Sequence, residues 1–198
     1  MTNLTVRNSN ISLLTEDVFN QMRSQCEVLV KSGFLPSAIK TAESALAVAM
    51  KGRELGLPMM LSFSYIYVID GKTGITAEGM NYLIKKNCPE AKIRIIKRDT
   101  LGCILSAWRP GMDTAIEFSF TIEDAKKALL MASHAWQRYP KNMCFNRAFS
   151  DMARTLFPDC IGGLSYMPEE IECADIDEDG YPIDTDQTAQ PSMDAELV

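Results

Sequence analysis

Basic and aromatic side chains are interleaved between residues 65 and 154, and together they could bind a nucleic acid. Positive side chains neutralise phosphates and flat rings stack on bases, so the two types can form a groove that tolerates any base sequence. The basic residues of this pattern are Lys92, Arg94, Lys97, Arg98, Arg109, Arg138, Lys141, Arg147 and Arg154, and the aromatic residues are Tyr65, Tyr67, Trp108, Trp136 and Tyr139. The DNA-binding candidates among them are Arg94, Lys97, Arg98, Trp108, Arg109, Arg138, Tyr139, Lys141, Arg147 and Arg154. Scattered Lys and Arg are also typical of an ordinary solvated surface, so the pattern alone leaves both interpretations open.

Three other patterns suggest chemistry but lack a required residue. Gly71-Lys72-Thr73 resembles the end of a phosphate-binding loop, yet the position five residues before Gly71 is Ile66 instead of glycine. Residues 175–180 begin like a calcium loop, but the twelfth position is Asp186 instead of glutamate. His134 is the only histidine, which excludes sites and mechanisms that need two. We therefore predict no catalytic residue, no metal site and no cofactor.

The cysteines and the hydropathy of the chain indicate its compartment. The six cysteines include no C-x-x-C pair, so the usual zinc spacing is absent and reduced thiols are expected. No apolar run of 18 residues exists, and residues 1–10 lack the basic-then-apolar order of a signal peptide. These features favour a cytoplasmic protein without a membrane partner.

Charge is distributed unevenly along the chain. The net charge is -6, but 11 of the 26 acidic residues lie in 169–198, where there is no Lys or Arg. Residues 1–168 therefore hold 15 acids against 20 bases, a net charge of +5. We expect one domain over 1–168 and an acidic, disordered tail over 169–198. The tail could compete with DNA for the basic body, present a docking peptide, or only aid solubility.

The order of the elements predicts an α+β fold. Helices are expected over 12–33 and from Pro36-Ser37 to Gly56, followed by a hairpin that turns at Asp70-Gly71 and a helix over 77–86. Strands over 91–98, 103–109 and 115–121 are joined by short connections, which permit only an antiparallel meander. Helices from Thr121 to about residue 131 and over 140–157 follow. One face of the meander should pack on helices, leaving the other face free.

The last helix separates an apolar stripe from two arginines. Phe145, Phe149, Met152 and Leu156 recur at helical spacing and predict the side that faces the core. Arg147 and Arg154 lie two turns apart on a different face, where we predict phosphate contacts. The alternative is that an arginine pairs with Asp151 or another acid to hold the fold.

Three groups of short motifs lie between residues 36 and 170. They cover residues 49–58, 65–69 and 71–72; then 108–111 and 120–125; then 136–143, 147–148, 154–159, 162–163 and 168–170. In their order and spacing they resemble the RecT family of phage single-strand annealing proteins. The resemblance implies an α+β core with a β-β-β-α unit. It also implies ATP-independent binding and annealing of single-stranded DNA, without covalent chemistry, by rings or helical filaments of many copies.

The resemblance also sets the expected partners and setting. Lys72 joins the candidate DNA-binding residues because it lies in one of these motifs. Single-stranded DNA and the annealed duplex are the expected ligands, and a phage exonuclease or a host single-strand-binding protein is the candidate protein partner, in the cytoplasm of a bacterial host. Two other functions stay open: a metal-dependent nuclease or other DNA-processing protein of a mobile element, and a phage protein that binds a host protein.

Overall fold

Two antiparallel sheets pack with helices in this α+β protein. A computed structural model describes residues 14–36, 38–69 and 72–163. The helices are α1 (Glu16–Lys31), α2 (Ala42–Glu54), α3 (Met59–Tyr65), α4 (Ala77–Asn87), α5 (Ile122–Lys127), α6 (His134–Arg138) and α7 (Pro140–Leu156), with a 3-10 turn at Leu130–Ala132. The strands are β1 (Ile66–Ile69), β2 (Lys72–Ile75), β3 (Lys92–Arg98), β4 (Gly102–Trp108) and β5 (Ile116–Thr121).

The predicted hairpin and meander are both confirmed. Strands β1 and β2 pair antiparallel, and their turn at residues 70–71 lies outside the described residues. Strands β3, β4 and β5 form a separate antiparallel sheet in chain order. The connections between them are too short for a crossover, so neighbours in sequence become neighbours in the sheet.

The buried side chains form one core that joins the N-terminal helices to the three-stranded sheet. Helix α7 packs against β4 and β5 on one side and also contacts α4. Phe149 and Met152 are buried as the apolar stripe predicts, whereas Phe145 and Leu156 are half-buried. Cys144, Ala148 and Ser150, which lie outside the stripe, are also buried, because α7 has neighbours on more than one side.

Local capping explains where the helices begin and end. Helix α2 begins at Ala42, later than the predicted start at Pro36-Ser37, because Thr41 and Ser44 bond reciprocally to each other's backbone N–H at 3.1 and 3.2 Å. Helix α5 ends at Lys127, short of the predicted end, because Leu129 adopts a left-handed φ of 59°. Helices α3 and α6 were not predicted.

Two predictions concern the C-terminal part of the chain. The boundary at residue 168 and the acidic tail over 169–198 lie outside them. Within the described ranges, no helix combines the length and the apolar character needed to cross a bilayer.

Candidate nucleic-acid interface

The three-stranded sheet has one covered face and one open face. On β4, Cys103, Leu105 and Ala107 are fully buried toward the helices, while the alternating side chains of Ile104, Ser106 and Trp108 are half-buried on the other side. The open face consists of Lys92, Arg94, Lys97, Ile104, Ser106, Trp108, Glu117 and Ser119. The covered face consists of Ile93, Ile95, Arg98, Cys103, Leu105, Ala107, Ile116, Phe118 and Phe120. On the two edge strands the helices cover this face only in part, so Ile95 and Ile116 are exposed. The sequence predicted this asymmetry.

The strand register arranges the open face in rows. Lys92 lies opposite Trp108. Arg94 lies opposite Ser106, and Ser106 in turn lies opposite Glu117. The third row runs from Lys97 through Ile104 to Ser119. All three cations of the open face therefore lie on the β3 edge.

A β-bulge in β3 decides which cations share the open face. The register shifts between Ile95 and Lys97, so Ile96 has no partner in β4. Strict alternation would place Arg98 with Lys92 and Arg94, and Lys97 on the other side. The bulge reverses this, and Lys97 joins the open face while Arg98 lies opposite the buried Cys103.

The cations of the open face are accessible to a ligand. Lys92 and Arg94 are exposed, and Arg94 has no hydrogen-bonding or ionic partner among the described residues. Lys97 pairs with Asp99 at 3.2 Å in a half-exposed salt bridge, a kind of pair that contributes little to stability. The pKa of Asp99 is lowered chiefly by the backbone N–H of Leu101 and also by Lys97.

Trp108 places an indole ring on the open face. Its Nε1–H donates a hydrogen bond to the carbonyl of Met112 at 2.8 Å, which fixes the ring edge to the following loop. The ammonium of Lys92 lies 5.2 Å from the ring centroid, within the range of a cation–π contact. A positioned ring beside cations is suited to stacking with a base while phosphates are neutralised.

Arg98 ties the covered face to the start of α7. Its Nη2 donates to Asn142 Oδ1 at 3.0 Å, and its guanidinium lies 4.1 Å from the Phe145 ring centroid. These contacts bring the first turn of α7 to the same end of the sheet as Lys97. Arg138, Tyr139 and Lys141 are exposed near that turn.

Arg109 has partners within the protein that account for its charge. It forms a bidentate pair with Asp159 at 2.8 and 3.0 Å, donates to the carbonyl of Leu156, and lies 5.5 Å from the Phe157 ring centroid. Arg109 also lowers the pKa of the Asp159 carboxyl. DNA binding by Arg109 stays a prediction. Its contacts favour a structural role, in which Arg109 holds the end of α7 in place; we call this arrangement the Arg109 clamp.

Arg147 and Arg154 lie on a more covered face of α7 than expected. Both are half-buried, and Ser150 between them is fully buried. Arg154 Nη2 donates to Ser150 Oγ at 3.1 Å, and that hydroxyl donates to the carbonyl of Arg147 at 3.2 Å. Phosphate contact by these arginines stays a prediction, and their bonding favours a structural role.

Two further basic residues, Lys72 and Lys92, lie on strands of different sheets. Lys72 lies in β2, in the separate hairpin sheet, and its side chain lies outside the described part of the chain. Lys92 belongs to the basic pattern of the sequence but was not among the predicted DNA-binding residues, although it stands two residues before Arg94 and so shares its side of the strand. That alternation was the signal that could have found it.

The thiols and carboxylates of the described residues are dispersed. Burial raises the pKa of Cys144 and of Cys160 to about 11, which keeps both thiols protonated at neutral pH. In the described ranges, His, Cys, Asp and Glu nowhere gather in a group of three that could hold a metal ion. Cys173 lies outside these ranges. Among the described residues, the open face therefore remains the candidate site through the cations of its β3 edge.

Comparison of the chain with models of known protein families finds no match, and comparison with curated proteins finds none either.

Proposed function

We propose that the protein binds single-stranded DNA on the open face and anneals complementary strands without ATP. The observation that carries this proposal is that Lys92, Arg94 and Lys97 lie along the β3 edge of an open face that also holds Trp108. The motifs that resemble the RecT family support the same function. The proposed setting is the cytoplasm of a phage-infected bacterium.

In this proposal the protein acts by positioning alone. Phosphates lie along the β3 edge, where the three cations neutralise them, and a base stacks on Trp108. Lys141 and Arg138 continue the cationic track at the end of the sheet. Base pairing supplies the specificity, so the protein needs only to hold the first strand extended with its base edges accessible.

Several copies would line up short sites along one strand, which is why a homo-oligomer, as a ring or a helical filament, belongs to the proposal. Avidity then converts a weak site into stable binding, because each further contact is intramolecular. The annealed duplex is the product. A phage exonuclease or a host single-strand-binding protein is the proposed protein partner.

The test is binding of a labelled oligonucleotide by fluorescence anisotropy over a range of salt concentrations. The variant K92Q/R94Q/K97Q removes the cations of the open face. If all three contact phosphate, the slope of log affinity against log salt should fall by about 2, because each contact on a single strand contributes about 0.7. An unchanged affinity and slope in the folded variant would overturn the proposal.

A matched control removes the same charge elsewhere. Lys31, Lys40 and Lys85 are exposed and lie outside the three-stranded sheet. The variant K31Q/K40Q/K85Q should keep most of the affinity and the salt slope. Equal losses in both triple variants would indicate attraction by net charge instead of a site.

A second assay separates annealing from the other open functions. Labelled complementary strands are mixed with protein and magnesium, without nucleotide, and both pairing and strand length are measured. Faster pairing with intact strands is the expected result. Shortened strands would support the nuclease, and absence of DNA binding together with tight binding to a host protein would support the third alternative.

A further inference from the structure

The open face carries charge of opposite sign on its two edges. Lys92, Arg94 and Lys97 lie on the β3 edge, whereas the β5 edge presents Glu117 and Ser119. Glu117 is exposed and has no hydrogen-bonding or ionic partner among the described residues. Nothing within the described fold therefore uses this carboxylate.

The row that contains Glu117 keeps it apart from the nearest cation of the face. Arg94, Ser106 and Glu117 lie opposite one another on β3, β4 and β5. Neighbouring strands lie about 4.8 Å apart, so the backbones of Arg94 and Glu117 are about 10 Å apart across the sheet. They form no salt bridge with each other. The face thus presents a cationic edge, a neutral centre and an anionic edge.

We infer that Glu117 is a specificity-determining residue that keeps the DNA backbone on the β3 side of the open face. This inference rests on the proposed function and adds the orientation of the bound strand. A phosphate over β5 would meet a like charge, whereas the uncharged bases can extend over Ser106 toward Glu117.

This orientation has a direct consequence for pairing. With its phosphates on the β3 edge, the bound DNA strand extends its bases across β4 toward the β5 edge, which holds no phosphate. A second strand then reaches the base edges without displacing the first from Lys92, Arg94 and Lys97. Without Glu117, the backbone can also cross the face, and the bases become less accessible.

The test reverses the charge at this position. In E117K, single-stranded DNA should bind more tightly, with a salt slope larger by about 0.7 if the new lysine contacts one phosphate. The rate of annealing at saturating protein should nevertheless fall by about threefold or more. Permanganate reactivity of thymines in bound oligo(dT) should fall as well, because the bases are covered.

Two further variants control for charge and for folding. E43K makes the same change on α2, where Glu43 is exposed and lies outside the three-stranded sheet. It should leave the annealing rate and the permanganate reactivity unchanged. E117Q, the milder change at the same position, should shift each readout in the direction of E117K by a smaller factor.

The outcomes separate this inference from the function on which it rests. If E117K anneals and reacts with permanganate like the wild type, while K92Q/R94Q/K97Q loses DNA binding, only the role of Glu117 is overturned. If the wild type itself does not bind single-stranded DNA, the proposed function fails first.

Discussion

Arginine side chains have different roles on the two faces of the three-stranded sheet. On the open face, Arg94 has no partner among the described residues. On the covered side, Arg98 is bonded to Asn142 and Arg109 to Asp159, each within 3.0 Å. Both sets are cationic, yet only the first has its charge available. The partners of a cation, rather than the number of cations, therefore identify a binding surface.

The two tryptophans give the largest expected difference between the faces. Trp136 is buried and lies 5.8 Å from the Phe120 ring centroid, so W136A should lower the free energy of unfolding by about 3–5 kcal/mol. W108A should lower it by less, because Trp108 is half-buried, but it should weaken DNA binding. Chemical denaturation measures the first effect and anisotropy the second.

Fluorescence of the single-tryptophan variants provides the control. The signal of W136F comes from Trp108 and should respond to added oligonucleotide, whereas that of W108F comes from Trp136 and should not. A response of Trp136 alone would place DNA away from the open face.

Arg109 should affect stability without affecting DNA binding. R109A removes a bidentate ion pair, a bond to the end of α7 and a ring contact. We expect a loss of about 2 kcal/mol, measured as a fall in Tm of about 4–8 °C. R94A is the comparison on the open face, with unchanged Tm and weaker binding. If R109A kept its Tm and lost affinity, the distinction between the faces would not hold.

The acidic tail should influence the open face only. Its 11 acids can compete with DNA for the cations of the body, because the tether keeps their local concentration high. Truncation after Ile171 should tighten DNA binding at low salt by a few-fold, an advantage that shrinks as salt rises. The same truncation in K92Q/R94Q/K97Q should give a smaller gain. Identical curves for the full and truncated chains at low salt would exclude competition.

The smallest expected effect is the pH dependence of the Arg109 clamp. The pKa of Asp159 is lowered from 3.8 in the folded state, so the unfolded state binds the proton more readily. The stability from this pair is therefore present above about pH 4 and is lost as the pH falls below it. D159N should be less stable than the wild type at pH 7, and the difference should narrow toward pH 2. A constant difference in Tm across this range would show that ionisation of Asp159 contributes nothing.

Most of the fold could be predicted because its signals are local. The alternation of Phe118 with Ser119 and the short loops between the strands were enough to predict the meander. The sequence of α3, with Phe63 and Tyr65, contains aromatic residues and continues into a β-branched run, so it gave no clear sign of a helix. The left-handed turn at Leu129 had no signal either, because leucine rarely adopts that conformation.

The candidate site was harder to predict because it depends on long-range geometry. The sequence contains Arg94, Arg98 and Arg109 without showing which of them will find a partner. Asp159 lies 50 residues after Arg109, and Asn142 lies 44 after Arg98. Only the folded chain brings these groups together, so the sequence predicted a longer list of binding residues than the open face contains.

The bulge at Ile96 also bears on aggregation. Strand β3 is an edge of the sheet, and Ile95 and Ile96 are both about half exposed there. A flat apolar edge would invite the strands of other copies, but a bulge breaks the regular spacing of the backbone groups, and flanking cations repel a second β3. The bulge and the cations thus disfavour pairing of this edge strand with strands of other copies. Proposed rings or filaments would have to form through other surfaces, and crowded copies on a DNA strand would stay protected from fibril formation at β3.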